Sequence, residues 1–192
     1  KLYGFEELAQ KTKKSFLSLG QKQLLVAGYE SIPTCMLYAL SKNNSADIEN
    51  KLQVCTDLLK NTYKRKKNIK TLAQVLALYP EPESAYQKVL ALSSTLKNNR
   101  LVPRTFYGTT CIGALAGLNK DAISISNKVQ FAYHYMKKKS CFGFLSMSSR
   151  ERLMWACMLV AINYIDISHS ESTIYATIAA FITINGANIM GY

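Results

Sequence analysis

Residues 48–59 read Ile48-Glu49-Asn50-Lys51-Leu52-Gln53-Val54-Cys55-Thr56-Asp57-Leu58-Leu59, with Ile48, Leu52, Cys55 and Leu59 at i, i+4, i+7 and i+11. At 3.6 residues per turn those four side chains form one apolar stripe, the pattern of a helix that packs by a single face. The spacing returns in Ala85, Tyr86, Val89, Leu90, Ser93 and Leu96, and again in Val129, Ala132, Tyr133 and Met136. No stretch alternates polar and apolar residues as a half-buried strand does. The chain reads as all-α.

Start and stop signals divide it into about nine helices. Ser148-Ser149-Arg150-Glu151 and Ser168-His169-Ser170-Glu171 are capping boxes placed before apolar runs. Pro80-Glu81-Pro82-Glu83 puts proline and two acids at a helix start, where the missing N–H is not needed and the dipole favours anions. Breaks fall near Gly20, Asn43–Ser45, Asn61–Lys67, Pro80, Asn98–Pro103, Asn119–Lys120, Lys139–Gly143 and Asp166–Ser168. Pro33 is expected to interrupt or kink the second helix.

The helices also look like one another. The Leu52…Leu59-Lys60-Asn61 pattern recurs thirty-seven residues later as Val89…Leu96-Lys97-Asn98, and forty beyond that as Val129…Met136-Lys137-Lys138. Leu37–Leu40, Val75–Leu78, Leu115–Leu118 and Met158–Ala161 are the shorter, more apolar partners. The expectation is one all-helical domain over residues 1–192, with helix pairs near 34–62, 71–98, 110–139 and 148–190. Such pairs build either an α-solenoid of HEAT or armadillo type or a compact helical bundle.

Three segments carry a resemblance. They are Leu58–Thr62 followed by Thr71–Leu78, then Pro82–Leu90 with Leu96-Lys97, and Met136-Lys137 followed by Met147–Glu151 and Ala156–Ala161. Together they resemble an uncharacterised bacterial all-helical family, the domain of unknown function numbered four thousand and three, over roughly Met36 to Ile162. The resemblance implies the fold and no activity. In that pattern paired acidic residues follow the Ser/Thr that opens the late helix. Here the corresponding stretch is Ser148-Ser149-Arg150-Glu151-Arg152, with one acid and two cations. A metal or acid–base role carried by such a pair is therefore not expected of this chain.

Composition narrows the chemistry. The chain has 192 residues, 48% of them apolar, with 24 Lys and Arg against 12 Asp and Glu, a net charge of +12. Only Arg65, Arg100, Arg104, Arg150 and Arg152 are arginine, so the excess is lysine, which fits a polyanion partner or the codon bias of an A/T-rich genome. Cys35, Cys55, Cys111, Cys141 and Cys157 contain no CxxC pair and read as reduced thiols of a cytoplasmic protein. No secretory signal is expected within Lys1–Gly20. Leu153–Ile165 and Ile174–Met190 are the most apolar stretches, one too short to span a bilayer and the other broken by Thr183, Asn185, Gly186 and Asn188. They are expected to be buried core helices, with no integral membrane association.

No catalytic, metal or cofactor site emerges. His134 and His169 lack spaced metal-ligating partners, a His134–Cys141 pair lacks an orienting third residue, and no phosphate-binding glycine loop is present. Gly108, Gly113 and Gly117 read as close-packing positions. Glu6-Glu7 and Asp47…Glu49 sit at helix starts, where the dipole accounts for them.

The candidate binding residues are basic. Lys64, Arg65, Lys66 and Lys67 lie in the connection after the third helix beside Tyr63, and Lys137, Lys138 and Lys139 end a later helix. With Lys60, Lys97, Arg100 and Arg104 they would line one ridge if equivalent helix ends share an edge, and could hold phosphates without base specificity. Tyr63, Tyr107 and Tyr135 could stack on bases. The competing reading is a solvated edge whose cations complement helix C-termini. Lys11, Lys13 and Lys14 form a further cluster. Three function classes follow: a non-catalytic helical-repeat protein whose groove holds a protein or peptide, a nucleic-acid-associated module, and an enzyme whose site is assembled across helices.

Overall fold

The computed structural model describes residues 4–26, 31–41, 43–103, 106–139, 147–164 and 171–189, without the side chains of 106–107 and 183–189. Arg104, Cys141 and the Ser168-His169-Ser170 part of the second capping box lie outside the described residues. All regular structure among the described residues is helical: α1 Phe5–Gln21, α2 Ile32–Leu40, α3 Ser45–Lys60, α4 Lys66–Leu76, α5 Pro82–Asn98, α6 Phe106–Leu115, α7 Ala122–Lys137, α8 Ser149–Tyr164 and α9 Glu171–Ile189.

The stripes read from the sequence are the faces that pack. α3 buries Ile48, Leu52, Cys55 and Leu59; α5 buries Ala85, Tyr86, Val89, Leu92 and Leu96; α7 buries Ile125, Val129 and Met136. The helix starts are chemically specified. Asn44 and Asp121 accept the backbone N–H groups of Asp47 and Ser124 at 2.9 and 2.8 Å. At α8 the capping box closes in both directions, Glu151 N–H to Ser148 Oγ at 3.2 Å and Ser148 N–H to Glu151 Oε2 at 2.9 Å. Pro82 opens α5 as expected. Pro33 departs from expectation: it sits in the first turn of α2 and starts that helix without kinking it, because proline there forfeits only an orphan donor.

The helices form two rows. α3 packs on α5 and α5 on α7; α4 packs on α6 and α6 on α8; α3–α4, α5–α6 and α7–α8 join the rows. Lys51, early in α3, reaches the carbonyl of Tyr79 just before α5, and Thr62, just past α3, meets Tyr86 within α5 at 2.8 Å. Successive helices of the α3–α5 row therefore run the same way. α9 lies along the second row in contact with α2, α4, α6 and α8. Helices α4 and α6 are thus covered on both sides, which is why Ile69–Leu76 and Thr109–Leu115 carry almost no exposed residue. The buried apolar residues of α1 to α9 form one continuous cluster.

Two glycines permit this closeness. A Cβ on Gly113 would stand 2.7 Å from Leu72 Cδ1 of α4. One on Gly117 would stand 2.6 Å from the Tyr79 ring and 2.8 Å from Thr173 Oγ1 of α9. Around them, buried tyrosines satisfy carbonyls at the ends of the inner helices: Tyr79 O–H reaches Gly113 O and Ala114 O at 3.0 and 3.2 Å, and Tyr38 O–H reaches Gln74 O at 2.7 Å. Lysines do the same from the other row. Lys51 donates to Tyr79 O at 3.0 Å and Lys88 to Leu118 O.

Candidate functional site

Each basic residue read from the sequence finds a definite place. Lys60 ends α3 and pairs with Asp57 at 2.7 Å; that hydrogen bond, with a second from Gln53, holds the Asp57 carboxyl below the usual range. Lys64 and Arg65 lie in the connection, but Lys66 and Lys67 form the first turn of α4, which corrects their expected place wholly between helices. There the macrodipole is positive, Arg65 supplies no side-chain cap, and no acid occupies the turn. Dipole complementarity, the explanation that serves Lys60, Lys97 and Lys137, does not serve these two.

Lys97 ends α5, and Arg100 follows in a left-handed conformation with φ of 60°. Arg100 N–H bonds Lys97 O at 2.9 Å and Leu101 N–H bonds Leu96 O at 2.8 Å, a Schellman stop with arginine where glycine is usual. Lys137 closes α7, Lys138 caps it, and Lys139 Nζ sits 5.0 Å from the Tyr135 ring. Tyr135 in turn stacks on Phe131, with centroids 6.3 Å apart. Both rings are exposed, Phe131 to 70%. Tyr63 is instead partly buried against the core, and the Tyr107 side chain lies outside the described residues.

The structure gathers some of these residues and separates others. Arg100 joins Arg150, Tyr133, Ser149 and Leu153 around a recess of about 270 Å³ between the ends of α5 and α7 and the start of α8. Lys64–Lys67 do not line it. Arg150 was passed over in sequence reading, although it stands inside the first capping box; only the fold shows that this box faces the end of α5. The lysine cluster of α1 is also divided. Lys11 and Lys14 line a depression of about 380 Å³ with Asn43, Asn44, Tyr38 and Ile48, and Lys11 additionally pairs with Glu7 at 2.8 Å. Lys13 instead borders an apolar groove of about 330 Å³ between α1 and α2, formed by Phe5, Leu8, Ala9, Phe16, Ile32 and Met36.

That groove arises from an inversion in α1. The face turned to the core buries Thr12, Ser15 and Leu19, while Phe5 is 86% and Met36 of α2 42% exposed. The inner face of the array, by contrast, is already occupied. α9 lays Thr173, Ala176, Thr177 and Ala180 into it, with Thr173 Oγ1 donating to Gly117 O at 3.2 Å.

The thiols among the described residues are buried. Burial pushes the thiols of Cys35, Cys55 and Cys157 up to about 12 and that of Cys111 well above its ordinary value. Such thiols are protonated and unreactive at neutral pH. His134 is exposed and stands edge-on to Tyr133, centroids 5.4 Å apart. Among the described residues no three His, Cys, Asp or Glu come together as a metal site, and no helix is long and apolar enough to cross a membrane.

No curated protein and no solved structure matches the chain. A family model does, over residues 5–187, nearly the whole sequence, and its description is "Protein of unknown function (DUF4003)". The chain belongs to that family.

Proposed function

We propose that this is a non-catalytic helical-array protein, built of repeated helix pairs, that binds an amphipathic helix of a protein partner in the groove between α1 and α2. The observation that carries this reading is the inverted α1. Exposed Phe5 and Met36 flank an apolar trough, whereas the inner groove used by many helical arrays is filled by α9. Lys13 on the rim and the net charge of +12 specify the partner's chemistry: apolar residues at i, i+3, i+4 and i+7 with acidic residues alongside.

The test is fluorescence anisotropy with a labelled model helix of Leu at those positions and Glu elsewhere. Met36→Lys and Phe5→Lys change exposed side chains, so the fold is expected to persist. Each should weaken binding about tenfold or more, the loss expected of an apolar anchor. Equal binding by wild type and both variants would overturn the proposal. So would a wild-type dimer that Met36→Lys turns into monomer, since the occupant would then be a second copy.

A second reading has its own support. The exposed Phe131–Tyr135 stack with Lys139 over its end is the aromatic and cationic combination that single-stranded nucleic acid uses. On this reading Lys64–Lys67, Lys137–Lys139, Arg100 and Arg104 contribute phosphate contacts. Binding of a short single-stranded RNA should then fall steeply with salt, and Tyr135→Ala should weaken it at every salt concentration. A flat salt response would remove this reading.

A further inference from the structure

The recess between α5, α7 and α8 joins features that the helical-array reading does not use. Arginine is scarce in this lysine-rich chain, five residues in all, yet three of the five converge here. Arg100 and Arg150 line the opening and carry no carboxylate partner among the described residues. Glu151, next to Arg150 in the chain, is committed to the Ser148 hydroxyl and N–H, hydrogen bonds that hold its carboxyl below the usual range.

The third arginine, Arg152, is buried under the wall. It donates to Met147 O at 2.9 Å and holds its guanidinium 5.5 Å from the centre of the Tyr133 ring. Tyr133 is thereby fixed as one side of the recess, and Leu101 and Leu153, both buried, form its apolar base. Arg100 reaches the opening only because the chain takes a left-handed turn that glycine would make with less strain.

We infer that this recess binds a phosphate monoester. Two guanidinium groups match the oxygens of a phosphoryl group through paired N–H donors, which lysine cannot reproduce. The aromatic wall and apolar base suit a small planar body attached to it. The volume, about 270 Å³, is that of a site for one small molecule or one end of a larger one.

Phenyl phosphate, inorganic phosphate and a twelve-residue oligothymidylate are the probes, titrated by calorimetry at low salt. Phenyl phosphate should bind more tightly than inorganic phosphate. Arg150→Gln should weaken it about tenfold or more. Arg100→Gly should weaken it comparably while raising Tm by about 2–4 °C, since glycine relieves the left-handed turn. Gln23, the other left-handed non-glycine residue, with φ of 57°, supplies the control: Gln23→Gly should raise Tm and leave binding unchanged.

Absence of phenyl phosphate binding, or binding indifferent to both arginine substitutions, would overturn the inference. Equal loss in a Lys64→Glu, Lys67→Glu variant would overturn it by making the attraction a general effect of charge. Binding of the oligonucleotide alone, through Arg100 and Arg150, would also overturn it and assign the recess to a backbone phosphodiester.

Discussion

Replacing Gly117 with alanine tests whether α9 is seated as tightly as the packing indicates. A Cβ at that position would meet Tyr79 Cε1 and the Tyr79 hydroxyl at 2.6 Å and Thr173 Oγ1 at 2.8 Å, all well inside van der Waals contact. The ring cannot yield cheaply, because Tyr79 is buried and its hydroxyl is tied to Gly113 O and Ala114 O. Overpacking of a rigid site costs about 1–3 kcal/mol. Displacing the tyrosine hydroxyl from carbonyls at the end of α6 adds about 1 kcal/mol. Urea denaturation should therefore show a loss of about 2–4 kcal/mol, equivalent for a chain of this size to a fall in Tm of about 5–15 °C. The single tryptophan reports the cause. Trp155 of α8 lies edge-on to Phe181 of α9, centroids 6.1 Å apart, so its emission should shift if α9 is pushed outward. Gly20→Ala is the reference, since no atom lies within 4 Å of the added carbon and α1 should gain about 0.5–1 kcal/mol. A Gly117→Ala loss below about 0.5 kcal/mol with unchanged Trp155 emission would refute the account of α9 docking.

Other measurements follow from the caps and the buried groups. Arg65→Asp should stabilise α4 by about 1 kcal/mol, because an acidic cap would replace a cation at the positive end of the dipole; chemical denaturation reads this directly. Ser148→Ala should cost about 1 kcal/mol by opening the capping box of α8, again measured by denaturation. Stability should decline as pH rises above about 9. The unfolded thiols ionise there, from their ordinary value of 9.0, while Cys35, Cys55 and Cys157 stay protonated in the fold up to about 12, so the stability held below pH 9 is lost across that interval. Denaturation curves at pH 7, 9 and 10.5 check it, and equal midpoints would contradict the burial of the thiols.

The parts of the fold legible in the sequence are those set by neighbours along the chain. Ile48, Leu52, Cys55 and Leu59 declare their helix because one face of it is wet. Ser148 and Glu151 declare a helix start because both partners of the cap lie within four residues. What was not legible depends on the third dimension. Pro33 looked like a kink because sequence alone did not locate the beginning of α2. Lys66 and Lys67 looked like part of a loop because nothing in their chemistry announces a helix start; the start is imposed by burial of Asn68 and Ile69 one residue on. α9 is the largest such case. Ile174–Met190 reads as a plain apolar run, and only the fold shows that Thr173, Ala176, Thr177 and Ala180 are buried, with Thr173 seated against Gly117. The recess was half legible. Arg100 was read as a cation at a helix end, but its junction with Arg150 crosses fifty residues of chain.

The lysine excess divides into two populations once the packing is known. Lys51 and Lys88 each stand one residue before a buried stripe position, Leu52 and Val89, lie thirty-seven residues apart, and donate to a carbonyl just past the next short helix. Lys128 stands forty residues further on at the same point of the pattern, before Val129. Lys70 likewise donates to Leu25 O at 3.1 Å. Lys51, Lys70 and Lys88 tie chain reversals together, since a flexible ammonium on a long stem can reach a carbonyl at a helix end or in a connection. Lysine at such positions is structural, and it adds positive charge without implying a ligand. Lys138 and Lys139 at the end of α7, Lys66 at the start of α4 and Lys13 on the rim of the α1–α2 groove belong to the second population, on the surface. Arginine follows a different rule: its side chains at the α5–α8 junction are not needed to end any helix, and at Arg100, where the backbone stops α5, the residue works against the local left-handed preference for glycine. Charge reversal at Lys51 or Lys88 should therefore lower stability, whereas the same change at Arg150 should leave stability intact and alter only what the surface binds.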